Sequence, residues 1–204
     1  LTDSQVSFTS VLDFNGSESF TVSVTDAEYT DSQIITVTAT PVNDAPVLDV
    51  ISDQNMNEGG TKILVLSASD IDEDALIYSI TDGTNILPSI DGSTITFSVI
   101  DDDWNGSESF TASVTDGEYT EDQIFTVTVD NVNDAPVLAT VSDVSFNEDG
   151  SSTLDLSASD VDEDVLTFSI SEGTNIFAIL TDSQVSFTSV LDFNGSESFT
   201  VSVT

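Results

Sequence analysis

Cysteine and histidine are absent from this chain, and a single basic residue, Lys62, stands against 38 acidic ones. Each shortage excludes a chemistry. Without Cys or His there is no thiolate nucleophile, no imidazole general base, no disulfide and none of the usual zinc ligand sets. With one basic side chain in 204 residues and a formal net charge of −37, the chain has no means of displacing counterions from phosphates. Nucleic acid is thereby excluded as a partner, as are an anionic-membrane patch and a lysine or arginine phosphate clamp. No apolar run approaches the roughly 18 residues needed to cross a bilayer, so this segment inserts in no membrane, and no signal peptide is visible.

Such acidity often accompanies disorder, but the hydrophobic fraction is 38% with twelve Phe, and the apolar residues are patterned. In Phe110-Thr111-Ala112-Ser113-Val114 and Phe125-Thr126-Val127-Thr128-Val129 they fall at every second position, as they do in Ile95-Thr96-Phe97-Ser98-Val99. Period two with Val, Ile, Phe and Thr predicts half-buried strands. No stretch carries a helical apolar stripe. The fold class expected is all-β.

The chain repeats itself. Residues 42–48, Val-Asn-Asp-Ala-Pro-Val-Leu, recur verbatim at 132–138, and residues 1–25 are identical to 180–204. The period is therefore about 90 residues, with one residue gained or lost near 101–103, a loop where such a change costs little. The phase of the copies predicts a C-terminal half-repeat at 1–44, a complete repeat at 45–134, and a repeat lacking its last strand at 135–204, as in a segment of a longer array. In the complete repeat, alternation predicts about seven strands, near 47–51, 62–67, 76–80, 85–87, 94–100, 109–115 and 123–129. Asp-Gly and Asn-Gly turns such as Asp82-Gly83, Asp91-Gly92 and Asn105-Gly106 separate several of them. About seven short strands in about 90 residues fit tandem immunoglobulin-like β-sandwiches. Residues 1–41 carry too few strands to hold a sandwich unaided.

The charge is clustered at turns. Asp70, Asp72 and Asp74 alternate and return as Asp160, Asp162 and Asp164, while Asn43-Asp44 and Asn133-Asp134 precede Ala-Pro at the two joints. Asp116 ends a strand, Asp103 (Asp13 and Asp192 in the other copies) precedes an aromatic-Asn-Gly turn, and Glu58 and Glu148 follow Asn in a long loop. Two carboxylates about 4 Å apart repel by roughly 4 kcal/mol at an effective dielectric near 20. The chain has no counter-charge of its own, and a divalent cation supplies one. Calcium takes six to eight oxygens at about 2.3–2.6 Å and accepts carboxylate, carbonyl and Asn oxygens in irregular geometry, which suits these clusters better than magnesium's tight octahedron.

The order Asn-Glu, Ser-Asp-x-Asp, Ser-Val-Thr-Asp-Gly and a linker Asn-Asp-Ala-Pro resembles the calcium-binding pattern of cadherin repeats. It is closer still to the bacterial cadherin-like tandem repeats of large RTX/VCBS-type extracellular adhesins. In that family a calcium cluster draws on the preceding domain, the linker and the following domain. The resemblance implies Asp13, Asn43, Asp44, Asp70, Asp72 and Asp116 as ligands at the first joint. At the second it implies Glu58, Asp103, Asn133, Asp134, Asp160 and Asp162. The linker is one residue shorter than the animal pattern, and Asp stands where a strand-E/F loop usually has Glu; both bear on the number of ions per joint.

Competing readings are weaker. Asp70-x-Asp72-x-Asp74 opens like an EF-hand loop, but the sixth position is not Gly and the twelfth is Thr81. A solvated acidic face explains Glu73 and Asp74 well. Asn15, Asn105 and Asn194 begin Asn-Gly-Ser, a turn signal before it is a glycosylation sequon. Lys62 has Ser152 at the matching position of the next copy, which removes it as an isopeptide crosslinker. Trp104, matched by Phe14 and Phe193, reads as a packing aromatic. Carboxylate pairs at turns of a small sandwich do not make an enzyme.

The function expected is a calcium-rigidified extender of a bacterial extracellular, secreted or cell-surface adhesin stalk, with adjacent repeats of the same chain as its partners. Two alternatives stand beside it. One is a calcium-dependent polysaccharide-binding module using Tyr29 and Tyr119. The other is homotypic assembly into fibres.

Overall fold

A computed structural model describes residues 5–204. They form strands, turns and loops with no helix, in two compact units, one ending at Asp130 and the other spanning Asn131–Thr204.

The first unit opens with a hairpin. Strand β1 (Gly16–Thr25) pairs antiparallel with β2 (Thr30–Ala39) over ten residues, from Gly16 opposite Ala39 to Thr25 opposite Thr30. The hairpin carries the expected alternation, but among the described residues no second sheet covers it. Phe8 packs on Phe20 with ring centroids 5.0 Å apart, yet Phe20 and Val22 remain 38% and 43% exposed.

The complete repeat follows, with β3 (Val47–Leu48), β4 (Gln54–Asn57), β5 (Thr61–Val65), β6 (Ala68–Ser69), β7 (Ile77–Ile80), β8 (Ile86–Asp91), β9 (Thr94–Val99), β10 (Gly106–Thr115) and β11 (Thr120–Asp130). One layer is β4-β11-β10-β7, the other β5-β9-β8, and β3 pairs with β6. All pairings are antiparallel except β4 on β11. The two layers close on Phe110, Ala112, Phe125, Val127 and Val129 from one side and Ile86, Ile95 and Phe97 from the other. These inward residues are 0–2% exposed, as period-two patterning requires. Three rings interlock at the centre: Phe97 lies 5.3 Å from Phe110 and 6.1 Å from Phe125.

Nine strands stand where about seven were expected. The two additions are short. Gln-Asn-Met-Asn in β4 offers one apolar side chain, Met56, and so no alternation to read; β6 is two residues long. Gly83 is required by contact rather than by φ, because a Cβ there would run into the Ile86 carbonyl oxygen. Trp104 packs against the core and covers Gly106, whose added Cβ would meet the indole at 2.8 Å.

The second unit has β12 (Val137–Leu138), β13 (Ser151–Asp155), β14 (Ala158–Ser159), β15 (Phe168–Ile170), β16 (Ile176–Thr181), β17 (Gln184–Ser189) and β18 (Val201–Val203). Its sheets are β13-β17-β16, β15-β18 and β12-β14. Leu156, Val185 and Phe187 are buried at its core, with Phe168, Ile176 and Phe199 packed around them.

Candidate metal centre in the linker carboxylates

The site in the first unit is built around residues 70–74. Asp70 folds its carboxylate over its own loop, and Oδ1 accepts the backbone N–H groups of Asp72 (2.9 Å) and Asp74 (3.3 Å). This is an Asx-type arrangement, open to Asp because its side chain reaches the backbone two residues on. Glu73 completes the turn at a left-handed φ of 62°. The result brings oxygens of Asp70, Asp72 and Asp74 within 4.8 Å of one another. Asp70 Oδ2 is shut off from solvent without a hydrogen-bond partner.

The linker is tied to this loop. Asp72 Oδ2 accepts the Asp44 N–H at 2.8 Å, and Asn43 Nδ2 donates to Asp116 Oδ2 at 2.8 Å. Asp116 itself caps the β10–β11 turn, its Oδ1 accepting from Tyr119 N–H and Glu118 N–H at 2.7 Å each. The Tyr119 bond, then the Glu118 and Asn43 bonds, outweigh desolvation and hold the carboxyl below its ordinary range. Asp116 therefore stays anionic at neutral pH.

Five of the six residues expected at the first joint are thus linked in two contacts and one carboxylate group. The sixth, Asp13, stands in the turn before β1 at φ 57° and is not among the grouped carboxylates. Asp74, which reads in the sequence as a solvated residue, is exposed yet brings an oxygen into the trio.

The second unit repeats the loop. Asp160 Oδ1 accepts from Asp162 N–H (3.0 Å) and Asp164 N–H (3.4 Å), and Asp162 Oδ2 accepts from Asp134 N–H (2.6 Å). Asn133 Nδ2 bonds the Asp134 carbonyl at 2.9 Å. Oxygens of Asp160, Asp162 and Asp164 again lie within 4.8 Å of one another. In the first unit, Glu58 occupies the turn after β4, its N–H bonded to the Asp130 carbonyl at 3.0 Å. Asp103 occupies the loop before β10, its N–H on Asp101 Oδ1 at 3.3 Å.

One acidic side chain of structural weight was not singled out in the sequence. Glu108 lies on the inward face of β10, in phase with Phe110. It accepts from Thr84, Asn85 and Ile86 backbone N–H groups and from Asn85 Nδ2 at 2.8–3.4 Å. Glu197 holds Thr174, Asn175 and Ile176 in the same way. The signal was available: Glu stands at the same in-phase position in all three copies, as Glu18, Glu108 and Glu197.

The oxygen-only donor set, a buried carboxylate oxygen without a partner, and one cation in the whole chain fit a hard divalent ion. Sandwich layers, a parallel β4–β11 pairing and tandem copies define the class: immunoglobulin-like, cadherin-like repeats. The chain belongs to the bacterial Ig domain family, whose model matches residues 43–130 and again 133–204. Among solved structures it resembles human protocadherin-24 EC1-2, with a TM-score of 0.50 at 19% identity over 79% of this chain and 94% of that one. A fucoidan hydrolase of glycoside hydrolase family 107, MfFcnA4, aligns at 18% identity and a TM-score of 0.37, over 87% of this chain and 30% of that one. Chitinase A of Pseudoalteromonas piscicida is 30% identical over 130 residues, which is 62% of this chain and 16% of the chitinase. Repeats of this fold are typically non-enzymatic.

Proposed function

We propose that the chain is a calcium-stiffened spacer of a bacterial extracellular protein, as in the long stalk of an adhesin. The observation that carries this reading is the Asp70-Asp72-Asp74 trio with the linker residue Asp44 bonded to it. Like charges are held together there in a chain whose one basic residue is Lys62. The ligands proposed at the first joint are Asp13, Asn43, Asp44, Asp70, Asp72 and Asp116. Asn133, Asp134, Asp160 and Asp162 take the same roles in the next copy, with Glu58 and Asp103 assigned to them by family resemblance. Calcium supplies the positive charge that lets these acids remain close; in its absence they repel and the linker loosens. Weak affinity suffices, since extracellular modules work with dissociation constants of about 10⁻⁴–10⁻³ M.

The test is thermal unfolding of the 204-residue chain with millimolar calcium and with EDTA. Calcium is expected to raise Tm by roughly 5 °C, since a ligand at about ten times its dissociation constant adds about 1.4 kcal/mol. Asp72→Ala is expected to remove most of that increment. An unchanged Tm with EDTA would overturn the reading.

The similarity to Chitinase A favours a second reading, a repeat appended to a polysaccharide-acting enzyme. Tyr29 and Tyr119 are 72% and 43% exposed, beside the Asp26 and Asp116 turns, whereas Tyr78 packs against the core. Retention on chitin in calcium buffer, lost in Tyr119→Ala, would favour that reading over a pure spacer.

A further inference from the structure

We propose that the free edge of β5, in the complete repeat, pairs with the β5 edge of a second copy of this chain, antiparallel and about a two-fold axis. Strand Thr61–Val65 borders the β5-β9-β8 layer, and among the described residues no strand pairs with its other side. The register fixes which of its groups are open. Leu66 N–H bonds the Ser93 carbonyl at 2.8 Å, one step beyond Val65 opposite Thr94. Hydrogen-bonded pairs alternate along an antiparallel ladder, so Leu64 and Lys62 turn their main-chain groups to Ile95 and Phe97. Those of Thr61, Ile63 and Val65 point to the open side. The Ile63 and Val65 side chains are 62% and 63% exposed.

The next copy shows what is particular to this edge. β13 reads Ser151-Ser152-Thr153-Leu154-Asp155 where β5 reads Thr61-Lys62-Ile63-Leu64-Val65. The inward leucine is the same in both. On the outer face, β5 has two β-branched apolar residues where β13 has Thr153 and Asp155. Nothing in its own sheet calls for them, since Ile63 and Val65 stand opposite Thr96 and Thr94. Asp155 accepts from Gln184 Nε2 at 2.7 Å and puts a charge on its strand, one of the devices that keep edges from pairing. β8, the other border of the β5 layer, is blunted by Pro88 and Asp91. β5 has neither proline nor acid.

Charge and symmetry select the occupant. In a chain of net charge −37, residues 59–69 contain no acid and include the one basic residue, Lys62. An edge lysine ordinarily deters pairing; against this background it lowers the local negative potential, so two such acidic molecules meet here with little repulsion. Antiparallel pairing centred on Ile63 sets Ile63 opposite its own copy and Thr61 opposite Val65. The three open residues of each molecule then satisfy those of the other, and the exposed Ile and Val gain cross-strand partners. An isologous contact of this kind closes as a dimer. Five residues a side give a small interface, under about 1,200 Å² in total, so the pair is weak and transient. It uses none of the proposed calcium ligands.

The experiment uses the 204-residue chain in EDTA, which separates it from the calcium reading, at about 0.5 M NaCl, where charge repulsion is screened to a few Å. Sedimentation across a dilution series from millimolar protein is expected to show the 21.6 kDa chain passing to a dimer and no further. Exchange of the Thr61, Ile63 and Val65 amides should slow at least tenfold at high concentration, with Lys62 and Leu64 unchanged. Because the chain has no Cys, Ile63→Cys reports the axis directly. It is expected to oxidise to a disulfide-linked dimer at least tenfold faster than Thr153→Cys, its match in β13. Ile63→Thr with Val65→Asp gives β5 the outer face of β13, itself a folded strand, and should weaken dimerisation at least tenfold with little change in Tm. A chain that stays monomeric at millimolar concentration would overturn the proposal. So would association beyond the dimer, equal cross-linking at the two positions, or dimers that the double variant leaves intact.

Discussion

At the scale of single residues, the carboxylates divide into those that repel and those that clamp. Glu108 belongs to the second kind. Burial alone would raise its pKa, but the bonds from Asn85, Thr84 and Ile86 more than offset this and lower it. A depressed folded value means stability present above the unfolded glutamate value of about 4.3 and lost as pH falls through the folded one. Glu108→Gln keeps the shape and removes the charge. Its Tm is expected to fall by roughly 5 °C at pH 7, corresponding to about 1 kcal/mol in a domain this size. The difference from the parent should shrink below about pH 4, and a pH-independent difference in thermal melts would contradict the clamp. Sequence reading missed Glu108 because a lone acid between two serines looks solvated; only its phase with Phe110 places it inward. The Asp70 loop was legible because its spacing repeats. Asp44 bonding Asp72 was not, since 28 residues separate them.

Among the elements, the long alternating strands were readable and the short ones were not. β9 to β11 declare themselves through Val, Ile, Phe and Thr at every second position, whereas β8, with Pro88 and Ser89 inside it, was expected only near 85–87 and runs from Ile86 to Asp91. β3 has only a two-residue pairing with β6, and side chains of β11 hold it and the segment after it as well. Gln123 donates from Nε2 to the Leu48 carbonyl and accepts from Ile51 N–H, both at 2.8 Å, and Glu121 accepts from Leu48 N–H at 2.8 Å. Such long-range side-chain bonds leave no periodic trace in sequence. Gln123→Ala is expected to cost about 1–2 kcal/mol and to raise hydrogen exchange at Ile51 selectively. Exchange at Ile51 no faster than at its neighbours would show that the segment is held otherwise.

For the molecule as a whole, the dominant quantity is a net charge of −37. Self-repulsion on this scale disfavours the compact state, and monovalent salt relieves it by screening. Calcium-free chain is therefore expected to melt several degrees higher in about 0.5 M NaCl than in 0.02 M, by calorimetry. If the calcium proposal holds, millimolar calcium should raise Tm beyond what equal ionic strength achieves. Repetition was the most legible property at this scale, since verbatim segments need no physics to detect.

The duplicated twenty-five residues supply an internal control that few natural chains offer. Local propensity is identical in both places, so whatever distinguishes Phe20 from Phe199 is the work of neighbours alone. Truncating each ring to alanine in turn would therefore weigh context with intrinsic preference cancelled: both rings meet the same phenylalanine partner, but only the later one also packs against a buried core with Leu156 and Val185, and it should suffer the greater loss.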